Sequence, residues 1–317
     1  DGIHERPMFS IEFASCTPQY QHALQRFSRM VASVTNGCPS IIVIPKRKRS
    51  NDGASVYTRS KAIEYGAVRL MDLYACPAFV LDWPDNDGEL IFEKDMQLPA
   101  LNTPSGKQIV RLLEASLEAF NNVDYRGALA TKPIIRELTD DLRVQAYANG
   151  VPTPENPGGG TGGSQAKLEV VDTTELIDSV AARGPSFKAL MSQLPTHFLR
   201  RPQSLVFHPT RITAHAGDPY VGMVGYYDIA FCRSGISTRE RNFNLVALAD
   251  DVSSDEITDV MKKYNEVSCP FTSPISKNNV KQYGAHLRTG CRFTKNKPTR
   301  VYSELLDLLV FTDSVIF

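Results

Sequence analysis

The sequence predicts an α/β protein whose first domain is built on parallel strand pairs and whose second domain is α+β. Three observations lead there. From Met8 to Trp83, short apolar runs alternate with stretches of helical period in the order strand, helix, strand, helix, strand, the pattern of a parallel sheet with crossover helices. Two of those runs, Ser40–Ile44 between Pro39 and Pro45 and then Pro77–Trp83, are apolar at almost every position, as in strands buried on both faces. Finally, Val151–Ser164 is rich first in proline and then in glycine, the composition of a linker. The predicted boundaries are a first domain over 1–150, a linker over 151–165 and a second domain over 166–317.

The first strand carries Met8, Phe9, Ile11 and Phe13, all good β-formers, and Glu12 interrupts them. A carboxylate on a mostly buried strand is costly unless a cation or hydrogen bonds receive it. Thr17-Pro18 opens a helix, with Thr17 as N-cap and proline in the first turn. Its apolar stripe is Tyr20, Ala23, Leu24, Phe27, Val31 and Val34, its polar face holds Gln21, Gln25, Arg26 and Arg29, and Asn36-Gly37 ends it. A second helix runs from about Ser60 to Tyr74 and leads into the Pro77–Trp83 strand. Beyond a loop-rich stretch, helices are expected over about Lys107–Asn121 and Ile134–Ala148.

In the second domain, helices are expected near Thr173–Ala182 and Ser186–Leu194. Strands follow at Ser204–Phe207, Arg211–Ala214, Val221–Cys232 and Phe243–Ala249. Ser253 and Glu256 form a capping box for a helix over about Ser254–Tyr264. The apolar tail reads as a short helix, Tyr302–Leu309, running into a strand.

Composition sets outer bounds. The chain has 317 residues, 42% hydrophobic and 22% charged, with 35 basic and 35 acidic side chains. That is the balance of a globular protein rather than of a basic nucleic-acid coat, although positive charge can be confined to one surface. No run of about 18 apolar residues is present, so no membrane-spanning helix is expected. The six cysteines form no C-x-x-C pair and no close cluster with histidine. Buried free thiols, and with them a cytoplasmic location, are the expectation.

The functional reading centres on Asp1 and Glu12. A hairpin or loop can bring these two carboxylates together, and converging carboxylates suit Mg²⁺. Such an ion polarises a phosphodiester and activates a bound water. The run from Asp1 to Ala14, with the helix and strands after it, resembles the core of the PD-(D/E)XK nuclease superfamily, best known from type II restriction endonucleases. Asp1 matches the first acidic position, and Glu12-Phe13-Ala14 matches (D/E)-X-K. The resemblance implies a mixed sheet flanked by helices, a Mg²⁺ site at Asp1 and Glu12, cleavage of double-stranded DNA, and a homodimer on a palindromic site. It also implies a polar residue, often glutamine, on the helix beside the active site, for which Gln21 and Gln25 are the candidates. Ala14 departs from the pattern, since the family has a catalytic lysine there. Lys46 or Lys61 is then expected to supply the missing amine from a neighbouring element. Without such a replacement, the chain is a non-catalytic nucleic-acid-binding module with a degenerate nuclease fold. A structural or interaction protein of α/β class is the third reading.

Other constellations bear on the same question. Asp218, in a turn, and Asp228, in the predicted long strand, form a second-choice acidic pair. The basic run Lys46-Arg47-Lys48-Arg49 follows a buried strand, at the edge where ligands approach an open α/β sheet. Its charges would neutralise phosphates. Arg233, Arg239, Arg241, Asn242 and Asn244 suggest a DNA-recognition surface in the second domain, because arginine and asparagine read guanine and adenine edges bidentately. The glycines after Pro157 lead into no Gly-Lys-Ser/Thr sequence, so a phosphate-cradling loop is not expected.

Overall fold

A computed structural model describes residues 7–15, 20–49, 56–84, 89–90, 101–155, 167–209, 218–237, 239–251, 281–282 and 305–317. Two compact units emerge, Asp1–Gly162 and Gly163–Phe317.

The first unit contains the strands β1 (Ser10–Phe13), β2 (Ser40–Ile44), β3 (Arg47–Arg49), β4 (Val56–Thr58), β5 (Ala78–Asp82) and β6 (Glu89–Leu90). Its helices are α1 (Tyr20–Thr35), α2 (Ala62–Tyr74), α3 (Pro104–Phe120), α4 (Tyr125–Ala130) and α5 (Pro133–Ala146). β1, β2 and β5 form a parallel sheet in that order, with Glu12 beside Ile42 and Ile42 beside Val80. Every residue of β2 is buried, as its unbroken apolar run requires of a central parallel strand. The basic run forms β3, which lies between β4 and β6 in a second small sheet.

Local chemistry sets the element ends. α1 stops at Asn36-Gly37, where Gly37 takes φ +74°, a left-handed conformation that costs glycine nothing. α2 stops at Ala75, which takes φ 48° and carries a Cβ penalty of about 1 kcal/mol there. α3 begins earlier than its apolar periodicity suggests. Thr103 caps it, accepting from the Gly106 N–H at 3.2 Å, and Pro104 occupies the first turn, where its missing N–H is harmless.

The second unit contains β7 (Lys167–Asp172), α6 (Thr173–Ala181), α7 (Pro185–Met191), α8 (Thr196–Leu199), β8 (Gln203–His208), α9 (Asp218–Tyr227), β9 (Phe243–Ala249), β10 (Lys281–Gln282), β11 (Leu308–Phe311) and β12 (Ser314–Ile316). They form a six-stranded mixed sheet in the order β10-β12-β11-β9-β8-β7. Val206, Val246, Leu308 and Val310 from this sheet pack with Leu176, Val180, Leu190 and Phe198 from α6, α7 and α8.

Two expectations fail here. The predicted strand Val221–Cys232 is helical. α9 continues into a π-helical turn, Asp228–Cys232. Residues 222–230 are buried throughout, and a segment buried all round shows neither a two-residue nor a 3.6-residue period, so its aromatic and β-branched content misleads. In the tail, Leu308 and Leu309 belong to β11 rather than to a helix. The predicted strand Arg211–Ala214 and helix Ser254–Tyr264 lie outside the described residues.

Candidate functional site

Glu12 stands on β1 facing α1. Its Oε1 accepts from Arg29 Nη1 at 2.6 Å and from Arg26 Nη1 at 3.2 Å. Arg26 and Arg29 lie one turn apart on the polar face of the helix, so both reach the same carboxylate. Its Oε2 is buried and has no hydrogen-bond partner. A cavity of ≈ 560 Å³ opens here, lined by residues 10–15 with Arg26 and Arg29. Ala14 is buried in this wall, and its N–H donates to the Val43 carbonyl. Neither Lys46 nor Lys61 lines the cavity, so among the described residues no lysine replaces the one missing at position 14. Gln25 is half-buried on α1 and does not line it either. Asp1 lies outside the described residues.

Two guanidinium groups already neutralise Glu12, and a divalent cation at Oε2 would meet their charge. Among the described residues, no group of three or more His, Cys, Asp or Glu side chains is placed to hold a metal ion. Glu12 Oε2 is the carboxylate oxygen this cavity leaves for a cation, and Asp1, the expected second ligand, lies outside the described residues.

A second cavity, of ≈ 340 Å³, lies where the chain leaves the C-terminal end of β5. Ligands commonly sit at this edge of an open α/β sheet. It is lined by residues 79–84, the N-terminal residues of α3, Lys46, and Leu138, Asp141, Leu142 and Gln145 of α5. Lys46 and Arg47 are exposed. Behind the cavity is a buried ion cluster that sequence reasoning missed. Arg59 donates from Nε to Glu64 Oε1 at 2.8 Å and from Nη1 to the Ile44 carbonyl at 3.0 Å, and its Nη2 lies 2.8 Å from Asp82 Oδ1. Burial pulls the Arg59 pKa down, but Glu64 and Asp82 outweigh it and hold the group above the ordinary arginine value. The sequence signal is Glu64 inside the otherwise uncharged run Ala62–Val68 of α2.

The second-choice acidic pair is not a site. Asp218 opens α9 and Asp228 begins the π-helical turn at its other end, a separation of roughly 15 Å along one helix. Asp228 is only 1% exposed and is taken up by arginines. Arg233 Nε lies 2.8 Å from Asp228 Oδ2, and Arg241 Nε lies 2.8 Å from Asp228 Oδ1. Arg241 also reaches Asp307 Oδ2 at 2.8 Å, and Arg201 reaches Asp307 Oδ1 at 3.0 Å. Burial acts to lower the Arg241 pKa, yet Asp228 and Asp307 hold it above its usual value. Arg233, Arg241 and Asn244 are thus buried in a structural network and present no free base-reading edge. Arg239 and Asn242 are exposed nearby.

No protein-family description, no curated protein and no solved structure matches this chain. Among the described residues, no helix is long and apolar enough to cross a membrane.

Proposed function

We propose that this chain is a non-catalytic nucleic-acid-binding module with a degenerate nuclease-like sheet. The observation that carries the reading is the state of Glu12: the acid at the (D/E)-X-K position binds two arginines, and Ala14 leaves the amine position empty. Exposed Lys46 and Arg47 at the C-terminal end of the parallel sheet supply the phosphate-binding charge. The test is the salt dependence of binding to mixed-sequence double- and single-stranded oligonucleotides. Affinity that falls steeply with salt, with no Mg²⁺ requirement and no cleavage, is the expected outcome. Absence of binding at low salt overturns the proposal.

One observation favours a second reading, a Mg²⁺-dependent DNA endonuclease of restriction-enzyme type acting as a homodimer. Glu12 Oε2 is buried without a hydrogen-bond partner, which leaves one oxygen for a cation, with Asp1 as the other ligand. Discrete fragments of a plasmid cut by the Ala14→Lys variant in Mg²⁺, and not by the parent chain, would establish this reading and displace the first.

A further inference from the structure

We infer that the cavity beside β5 receives the terminal, phosphate-bearing nucleotide of a single-stranded nucleic acid. The inference rests on the nucleic-acid-binding reading and says which part of the ligand is held, and where. Its basis is the set of groups that share the cavity wall. Lys46 contributes a cation, Ser105 a hydroxyl, Gln108 and Gln145 two amides, Asp141 a carboxylate and Trp83 an aromatic side chain.

Each of these groups matches one part of a nucleotide. An ammonium binds phosphate as a point charge, and a serine hydroxyl adds a donor to the same oxygens. A carboxylate accepts from sugar hydroxyls. Side-chain amides donate and accept at once and so pair with the edge of a base, while an aromatic wall suits its apolar face. Asp82 also lines the cavity, but Arg59 Nη2 at 2.8 Å offsets its charge, so it does not repel a phosphate as a bare carboxylate would. The volume of ≈ 340 Å³ is at the small end of ligand pockets and suits one nucleotide rather than a duplex.

Position specifies an end rather than an internal nucleotide. Lys46 lines the cavity and immediately precedes β3, whose residues are Arg47-Lys48-Arg49. A single strand whose phosphates meet exposed Arg47, which is not part of the cavity wall, reaches Lys46 and the cavity at one of its ends. The residues behind Lys46 hold it in place, because the Lys46 carbonyl accepts from the Arg59 N–H at 2.9 Å and Arg59 is fixed by Glu64 and Asp82.

The experiment uses the full chain and one labelled single-stranded oligonucleotide of mixed sequence. It is prepared with a 5′-phosphate, with a 3′-phosphate, or with hydroxyls at both ends. Binding is measured by anisotropy, with nucleoside monophosphates and nucleosides as competitors. One phosphorylated form is expected to bind about tenfold more tightly than the hydroxyl form, the size of one charge-assisted hydrogen bond. Monophosphates are expected to compete where nucleosides do not. Lys46→Ala removes the preference, and because Lys46 is exposed, that variant keeps its fold. Gln145→Leu is expected to weaken competition by the monophosphates while leaving the thermal midpoint unchanged. Equal affinity for all three ends overturns the inference and leaves the broader nucleic-acid-binding reading standing. No binding of any oligonucleotide or monophosphate overturns both.

Discussion

Glu12 and Asp228 are both acids held by a pair of arginines, yet their surroundings make them different objects. Around Glu12 the side chains are partly open, with Arg29 61% and Glu12 14% exposed, one carboxylate oxygen is unpartnered, and a cavity borders the group. Around Asp228 everything is closed. Its partners Arg233 and Arg241 are 7% and 2% exposed, and the network continues through Asp307 to Arg201 and the Leu245 N–H. A closed network of charges costs desolvation and is retained only if every member is paired. An open one leaves charge that a ligand can recruit. The type of residue in a cluster says little about its role until burial is known.

The largest effect is expected where the closed network is broken. Asp228→Ala removes the carboxylate that two buried guanidinium groups share and should cost about 3–5 kcal/mol, read as a lower urea midpoint. A loss within the range of surface substitutions would erase the distinction between the clusters. Glu12→Gln should cost only about 1 kcal/mol, since Arg29 remains hydrated. The same change frees Arg26 and Arg29, so affinity for nucleic acid should rise and its salt slope steepen, by about 0.9 for each further phosphate neutralised. On the endonuclease reading Glu12→Gln instead abolishes Mg²⁺ binding, which titration calorimetry separates from the first outcome.

Next comes the exposed basic edge. The double change Lys46→Ala and Arg47→Ala should leave the urea midpoint within about 0.5 kcal/mol of the parent. It should also reduce the salt slope by about one for each phosphate that the two side chains neutralise. An unchanged slope would place the nucleic-acid surface elsewhere. The last effect is one of pH and concerns Cys76. Burial pushes its thiol pKa up to about 12 from the ordinary 9.0. A raised acid pKa means that the folded state holds the proton longer than the unfolded state, so this contribution is fully present below pH 9 and is lost as pH rises toward about 12. Chemical denaturation at pH 8 and pH 10.5 tests this: the loss of stability between them should be smaller in Cys76→Ala.

Much of the first unit is legible because its elements are written in local patterns. The Ser40–Ile44 run matches β2 residue for residue, and the stripe from Tyr20 to Val34 matches α1. The basic run carries no strand signal and yet forms β3, since a small sheet of strands no longer than three residues leaves too little periodicity to detect. In the second unit β7, with Leu168, Glu169, Val170 and Val171, is hidden beside the glycine-rich run. Glu12 stands out in the sequence as a costly acid on an apolar strand. Its partners are also visible as the polar face of the next helix, but nothing in the spacing shows that Arg26 and Arg29 converge on it.

By itself, then, the sequence determined the segments whose conformation depends on near neighbours: the apolar parallel strands, the amphipathic helices and the glycine and proline stops between them. Tertiary structure alone decided the rest. Residues 222–230 became helical because burial on all sides, rather than β-propensity, governs an unpatterned apolar segment. Arg241 met Asp307 across 66 positions of chain, and such long-range pairings have no local signature because the fold, not the spacing, brings the two charges together. For that reason the sequence could nominate charged residues, while only the folded chain could separate those sealed in a network from those left facing a cavity.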